Sequence, residues 1–124
     1  MKSIDIIAGA RPNFIKVAPI IKSIERKKAI SSSLFDYRLI HTGQHYDKKM
    51  SGDFFNQLGI PAPDINLNVG SGSQAQQTAA IMVSYEEILI NDPTDLCLVV
   101  GDVNSTAACS IAAKKLNIPV AHVE

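Results

Sequence analysis

Apolar positions along this chain alternate between two periods, one suited to buried strands and one to amphipathic helices. Ile4, Ile6, Ile7 and Ala8 form a short apolar run closed by Gly9 and followed by Arg11-Pro12, the pattern of a buried strand entering a turn. Pro12 suits the first position of a helix. From there Phe14, Val17, Ile20, Ile21 and Ile24 recur at spacings of three and four, which predicts an amphipathic helix to about residue 28. Pro19 falls inside it. A proline lacks the backbone donor and clashes with the preceding turn, so a kink, or a short first turn followed by the main helix, is expected. Ser31-Ser32-Ser33 reads as loop.

The same grammar then repeats. Residues 37–41 predict a second strand, Thr42-Gly43-Gln44-His45 its turn, and residues 48–58 a second helix stopped by Gly59. Pro61 and Pro63 stiffen the link to a weak third strand at 65–67, and a Gly/Ser loop over 69–73 leads into a third helix over 74–90, with Ile81, Tyr85, Ile88 and Leu89 inward. The most apolar strand, 96–100, lies between Pro93 and Gly101. An alanine-rich helix over 105–116 and a fifth strand over 119–123 follow. Five strands alternating with four helices predict a parallel sheet, because each crossover helix returns the chain in the same direction. The expected fold class is therefore α/β, an open Rossmann-like layer with strand order 3-2-1-4-5. With 124 residues and no linker or second composition, one domain is expected. Glu124 stands at the exit of the fifth strand, where a covering helix would come next. The chain is accordingly read as the N-terminal part of a larger protein, with one sheet edge or face uncovered.

Composition narrows the classes. At 46% hydrophobic, 19% charged and a mean hydropathy of +0.09, the chain is an ordinary globular one. Its apolar runs fall far short of the roughly 20 residues that a membrane span needs. Asp5 stands where a signal peptide would be continuously apolar, so the cytoplasm is expected. Cys97 and Cys109 have neither metal-ligand nor C-x-x-C spacing and read as inert packing thiols. The formal net charge is zero, which favours neither nucleic acid nor a membrane surface as partner. The halves differ, however: residues 1–49 hold ten Lys/Arg against four Asp/Glu, and residues 50–124 hold two against eight. The basic excess makes a small anionic ligand worth considering, although Lys22, Arg26, Lys27 and Lys28 read as a solvated helix face.

Ligands of such sheets bind outside the carboxyl ends of the strands, so the strand-to-helix turns are the candidate site. Neither G-x-G-x-x-G nor G-x-x-x-x-G-K-[ST] occurs, which removes support for a nicotinamide cofactor or a P-loop. Arg11 at a helix start and Lys16 one turn in suit a phosphate; they would serve equally as surface cations. Asp102 follows the most apolar strand and is either the N-cap of the next helix or, if Asn104 takes that role, a carboxylate facing the cleft. Glu124 follows strand five in the same way. If strands four and five are neighbours, about 4.8 Å apart, these carboxylates face one cleft and can divide acid and base roles. His41, His45 and His122 show no metal-binding spacing, so no metal is expected. Gln44 and Gln74 could hydrogen-bond a ligand or satisfy loop backbone.

Taken together, Gly9-Ala10-Arg11-Pro12-Asn13-Phe14-Ile15-Lys16 with Ala18-Pro19, Thr42-Gly43-Gln44-His45, Leu67-Asn68, Gly101-Asp102 and His122-Val123-Glu124 resemble the N-terminal region of non-hydrolysing UDP-N-acetylglucosamine 2-epimerases. The resemblance runs over essentially the whole chain. It implies a glycosyltransferase-B-like architecture of two Rossmann-like domains with the UDP-sugar between them, this chain supplying the first. It further implies inversion at C2 through elimination of UDP to a 2-acetamidoglucal and re-addition of UDP, without a redox cofactor. Arg11 and Lys16 would hold the nucleotide-sugar, Asp102 and Glu124 would be the active-site carboxylates, and Gln44 and Gln74 would align with glutamines near an allosteric UDP-N-acetylglucosamine, with Ser73 where activated members carry arginine. The full-length protein would be a homodimer, and the 124-residue chain alone would be inactive. The opening departs from the family's commoner Gly-Thr-Arg-Pro-Glu at Ala10 and Asn13, so a UDP-2,3-diacetamido-uronic acid stays open as the substrate. So do a glycosyltransferase of the same fold and a non-catalytic nucleotide-sugar-binding module.

Overall fold

The computed structural model describes residues 2–30, 35–43 and 52–124. Its elements are β1 (Lys2–Ala8), α1 (Arg11–Ile30), β2 (Phe35–His41), α2 (Gly52–Leu58), β3 (Ile65–Asn66), α3 (Gln74–Asn91), β4 (Leu96–Val100), α4 (Asn104–Lys115) and β5 (Val120–Val123). All strand pairings are parallel, in the order β3-β2-β1-β4-β5 expected from the alternating pattern. No helix among the described residues is long and apolar enough to cross a membrane.

The strands are apolar on both faces because helices cover both. Ile6, Ala8, Leu39, Leu98 and Val100 pack with Phe14, Val17 and Ile21 of α1 and with Phe54 and Phe55 of α2. Their alternates Ile7, Ile40, Cys97 and Val99 pack with Ile81, Tyr85 and Leu89 of α3 and with Ala108, Cys109, Ala112 and Ala113 of α4. The period of two along each strand thus sorts side chains between two cores. Burial drives the Cys97 thiol up to about 12 and holds that of Cys109 well above the ordinary range.

Three local features differ from the sequence reading. The first helix runs unbroken through Pro19, with no separate first turn. The carbonyl that a residue-19 amide would have satisfied belongs to Ile15, which is 52% exposed, so water can take that place. The third strand is only two residues long, because Asn68 adopts a left-handed φ of 56° and turns the chain away. Helix α4 starts after Val103, and no side chain caps it. By contrast, α3 opens with a full capping box between Ser73 and Gln76. The predicted loop at 31–33 and the start of the second helix at 48–51 lie outside the described residues.

Midway along the two neighbouring strands β1 and β2 lies a buried ionic cluster. Asp5 is fully buried on β1 and accepts from Arg38 Nε at 2.6 Å and Nη2 at 2.8 Å, and from the Tyr85 hydroxyl at 2.8 Å. Arg38 also reaches Asp92, at 2.8 Å. The forked guanidinium leaves neither carboxylate oxygen of Asp5 unpaired, which is the condition for tolerating a charge inside the sheet. This cluster ties β1 and β2 to the end of α3.

Candidate functional site

The strand order reverses between β1 and β4, so the crevice above their carboxyl ends is where an open α/β sheet offers a site. The turn after β1 is held from within. Asn13, nearly fully buried, accepts from the amides of Gly9 and Ala10, each at 3.0 Å, and so fixes the loop that starts α1. A Cβ on Gly9 would stand 2.4 Å from Ser105 Oγ and 2.9 Å from Thr42 Oγ1. Only a glycine therefore lets the exits of β1 and β2 and the start of α4 come this close. Gly101, after β4, has a φ of +68°, and a Cβ there would meet Asn13 Nδ2 at 3.3 Å. The two turns that flank the reversal point are in mutual contact range.

Beside them opens a cavity of about 270 Å³ lined by Lys16, Gly101, Asp102, His122 and Glu124. A more apolar hollow of about 380 Å³ adjoins it, sharing Gly101, Asp102 and His122 and running along Thr106, Ala107 and Ser110 of α4. One cation and two carboxylates thus share a small space at the sheet's carboxyl edge. Asp102 is not a helix cap, and neither is Asn104: the cap position is Val103, without a side-chain bond. The Asn104 amide instead donates to Gln74 Oε1 at 2.7 Å and Gln77 Oε1 at 3.3 Å.

Of the residues picked from sequence, Lys16, Asp102 and Glu124 are brought together around one cavity. Arg11 is not among its lining residues, and its guanidinium carbon sits 4.9 Å from the centroid of the Phe54 ring on α2. Gln74 lies at the exposed start of α3, engaged by Asn104. Gln44 lies outside the described residues. Sequence reasoning missed Asn13 as the internal brace of the first turn and His122 as a cavity residue whose Nε2 is 2.7 Å from the Gly101 carbonyl. An asparagine following Pro12 at a helix start was the available signal for the first. For the second, the His122-Val123-Glu124 strand end carried the residue, while its contact with Gly101 became visible only in the paired β4 and β5.

A family pattern described as UDP-N-acetylglucosamine 2-epimerase matches residues 27–124. The chain belongs to this epimerase family. It is 51% identical over 124 residues to a UDP-N-acetylglucosamine 2-epimerase homolog of Methanococcus maripaludis, an alignment covering 100% of this chain and 32% of that protein. It is 42% identical over 124 residues to the UDP-2,3-diacetamido-2,3-dideoxy-D-glucuronate 2-epimerase of Pseudomonas aeruginosa, covering 100% of this chain and 33% of the relative. Among solved structures, the Methanocaldococcus jannaschii UDP-GlcNAc 2-epimerase in complex with UDP-GlcNAc and UDP superposes with a TM-score of 0.88 at 40% identity, covering 98% of this chain and 32% of that one. The chain therefore spans about a third of the length of the relatives it matches. Its sheet is the glycosyltransferase-B-type layer of those structures.

Proposed function

We propose that this chain is the first Rossmann-like domain of a UDP-N-acetylglucosamine 2-epimerase, and that Asp102 and Glu124 are its contribution to the chemistry. The observation that carries the reading is the joint lining of one cavity by Lys16, Asp102 and Glu124 at the reversal point of the sheet. Inversion at C2 asks for removal of the C2 proton, departure of UDP with its C1–O bond electrons, and return of both to the resulting glycal with the proton on the opposite face. Two carboxylates on neighbouring strand exits can take and return that proton, because either can act as base when ionised and as acid when protonated. Lys16 in the cavity and Arg11 at the start of the same helix suit the charge that grows on the departing diphosphate. Gln44 and Gln74 are assigned to a second, regulatory nucleotide-sugar. The working form is a homodimer in the cytoplasm.

The test is made on the complete protein with UDP-N-acetylglucosamine in deuterated water. Deuterium should enter at C2 as the N-acetylmannosamine epimer forms, and Asp102→Asn and Glu124→Gln should each lower kcat by about 10²-fold or more without altering the fold. Near-normal turnover in both variants would overturn the assignment. A second reading, a UDP-2,3-diacetamido-uronic acid as substrate, is favoured by the 42% identity to the Pseudomonas aeruginosa enzyme, and comparing kcat/KM for the two sugars separates them.

A further inference from the structure

We propose that His122 is a positioning residue that sets the separation of the two site carboxylates by gripping the turn that carries Asp102. The proposal rests on the reading of Asp102 and Glu124 given above. Gly101 is held from β5 through both of its flanking peptides. The Gly101 amide donates to the Val123 carbonyl at 3.2 Å, continuing the β4–β5 ladder one residue past its end, and the Gly101 carbonyl lies 2.7 Å from His122 Nε2. A carbonyl can only accept, so Nε2 carries the proton and donates, in the neutral ring as in the charged one. Gly101 needs this grip. Its φ of +68° allows a backbone freedom that other residues lack, and the helix that follows begins at an uncapped N-terminus. With neither a cap nor a Cβ to restrain the turn, the direction of the Asp102 carboxylate depends on the peptide before it.

His122 is suited to this role by its place in the strand. It stands on β5 two residues before Glu124, and both side chains line the same cavity. One imidazole thereby ties the β4 exit, which carries Asp102, to the β5 exit, which carries Glu124. His122, Asp102, Glu124 and Lys16 are the titratable groups lining the cavity. The role requires a donor at the Nε2 position and does not require the ring to exchange protons with substrate.

The experiment compares His122→Phe, which keeps the ring volume and removes the donor, with His122→Gln, whose side-chain amide can place an N–H at the same distance from the backbone. In the complete protein, His122→Phe should lower kcat by about tenfold or more with KM changed less than about twofold, since a small misplacement of a reacting group costs rate before binding. His122→Gln should recover most of the loss. In the 124-residue chain, amide resonances of Gly101 and Asp102 should move in His122→Phe and return toward their original positions in His122→Gln. Wild-type kcat in His122→Phe while Asp102→Asn is impaired would overturn the proposal and leave the proposed function standing. Equal losses in both His122 variants would overturn it as well, by showing that the imidazole itself is required. Loss of neither activity in Asp102→Asn nor in Glu124→Gln would instead remove the reading beneath it, whatever the resonances of Gly101 do.

Discussion

Replacing Gly9 by alanine probes fold and site at once. The added methyl would stand 2.4 Å from Ser105 Oγ, 2.9 Å from Thr42 Oγ1 and 3.2 Å from Ser105 Cβ, against an ordinary contact of 3.4 Å or more. The worst overlap is thus about 1 Å, and Ser105 and Thr42 are both essentially buried, so neither can swing into solvent to relieve it. The exit of β1 or the start of α4 must give way. Overpacking of this kind costs about 1–3 kcal/mol, which at about 3–5 °C per kcal/mol for a chain of this length lowers Tm by about 3–15 °C. Thermal and guanidinium denaturation of the chain measure it directly. Adding Ser105→Ala removes the nearest atom but leaves Thr42 Oγ1 and the residue-105 Cβ, so the double variant should recover part of the loss and not all of it. A Tm for Gly9→Ala within 1 °C of the parent, or strictly additive losses in the double variant, would refute the reasoning, since either result means that the methyl does not meet Ser105. Because the Gly9 amide is one of the two that hold Asn13, the same displacement should loosen the start of α1 where Arg11 stands.

The buried ionic cluster makes a graded prediction: Tyr85→Phe removes one hydrogen bond to a carboxylate and should cost about 1.5–3 kcal/mol, whereas Asp5→Ala removes the bonds from Tyr85 and from the Arg38 fork together, leaving Arg38 only its contacts with Asp92, and should cost more than Tyr85→Phe, both read from urea melts. With both thiols buried and that of Cys97 pushed up to about 12, neither Cys97 nor Cys109 should react with a disulfide reagent at pH 8 until the chain is unfolded; prompt labelling of the native chain would contradict this packing. The Lys28 ammonium, 3.0 Å away, and the Tyr37 amide hold the Asp36 carboxyl below its usual range. A carboxylate lowered in the folded state adds stability above its unfolded pKa of about 3.9 and loses it as pH falls through the folded value, so Asp36→Asn should lose a small stabilisation at neutral pH, small because both partners are partly in solvent, and its stability curve should converge on the parent's as pH falls below about 4.

Much of the architecture was legible because local pattern and topology coincide. Each apolar run is short, each is followed by a turn signal, and the helices between carry their apolar residues at helical spacing, so a parallel sheet with β1 at its centre was the consistent solution. Pro19 misled because its cost depends on which carbonyl loses its donor, and only the fold places Ile15 on the solvent side. Asp5 looked like no more than an interruption of an apolar strand. Its partners Arg38 and Tyr85 are 33 and 80 residues away, and no local pattern reports them. At the site, Asp102 and Glu124 were recoverable as strand exits, but whether they share a cavity depended on β4 and β5 being neighbours. His122 was legible as part of the His122-Val123-Glu124 strand end, but its hold on Gly101 was not, because the partner is a backbone carbonyl that every residue possesses.

The central position of β1 has a consequence for the order in which the protein is made. Its hydrogen-bonding edge toward β2 is satisfied by residues only some thirty positions later, but its other edge waits for Leu96, Cys97 and Leu98, and Ser3 meets Asp95 across 92 positions of chain. On the ribosome, β1 emerges before the other four strands and waits longest for its second neighbour. Until β4 arrives, the growing chain exposes an unpaired parallel edge on β1, apolar on both faces. Loop-closure entropy makes such pairings slow, and an open apolar edge invites other chains, so synthesis passes through a window in which nascent-chain chaperones have a defined target. That window closes only when about four-fifths of these 124 residues have been added.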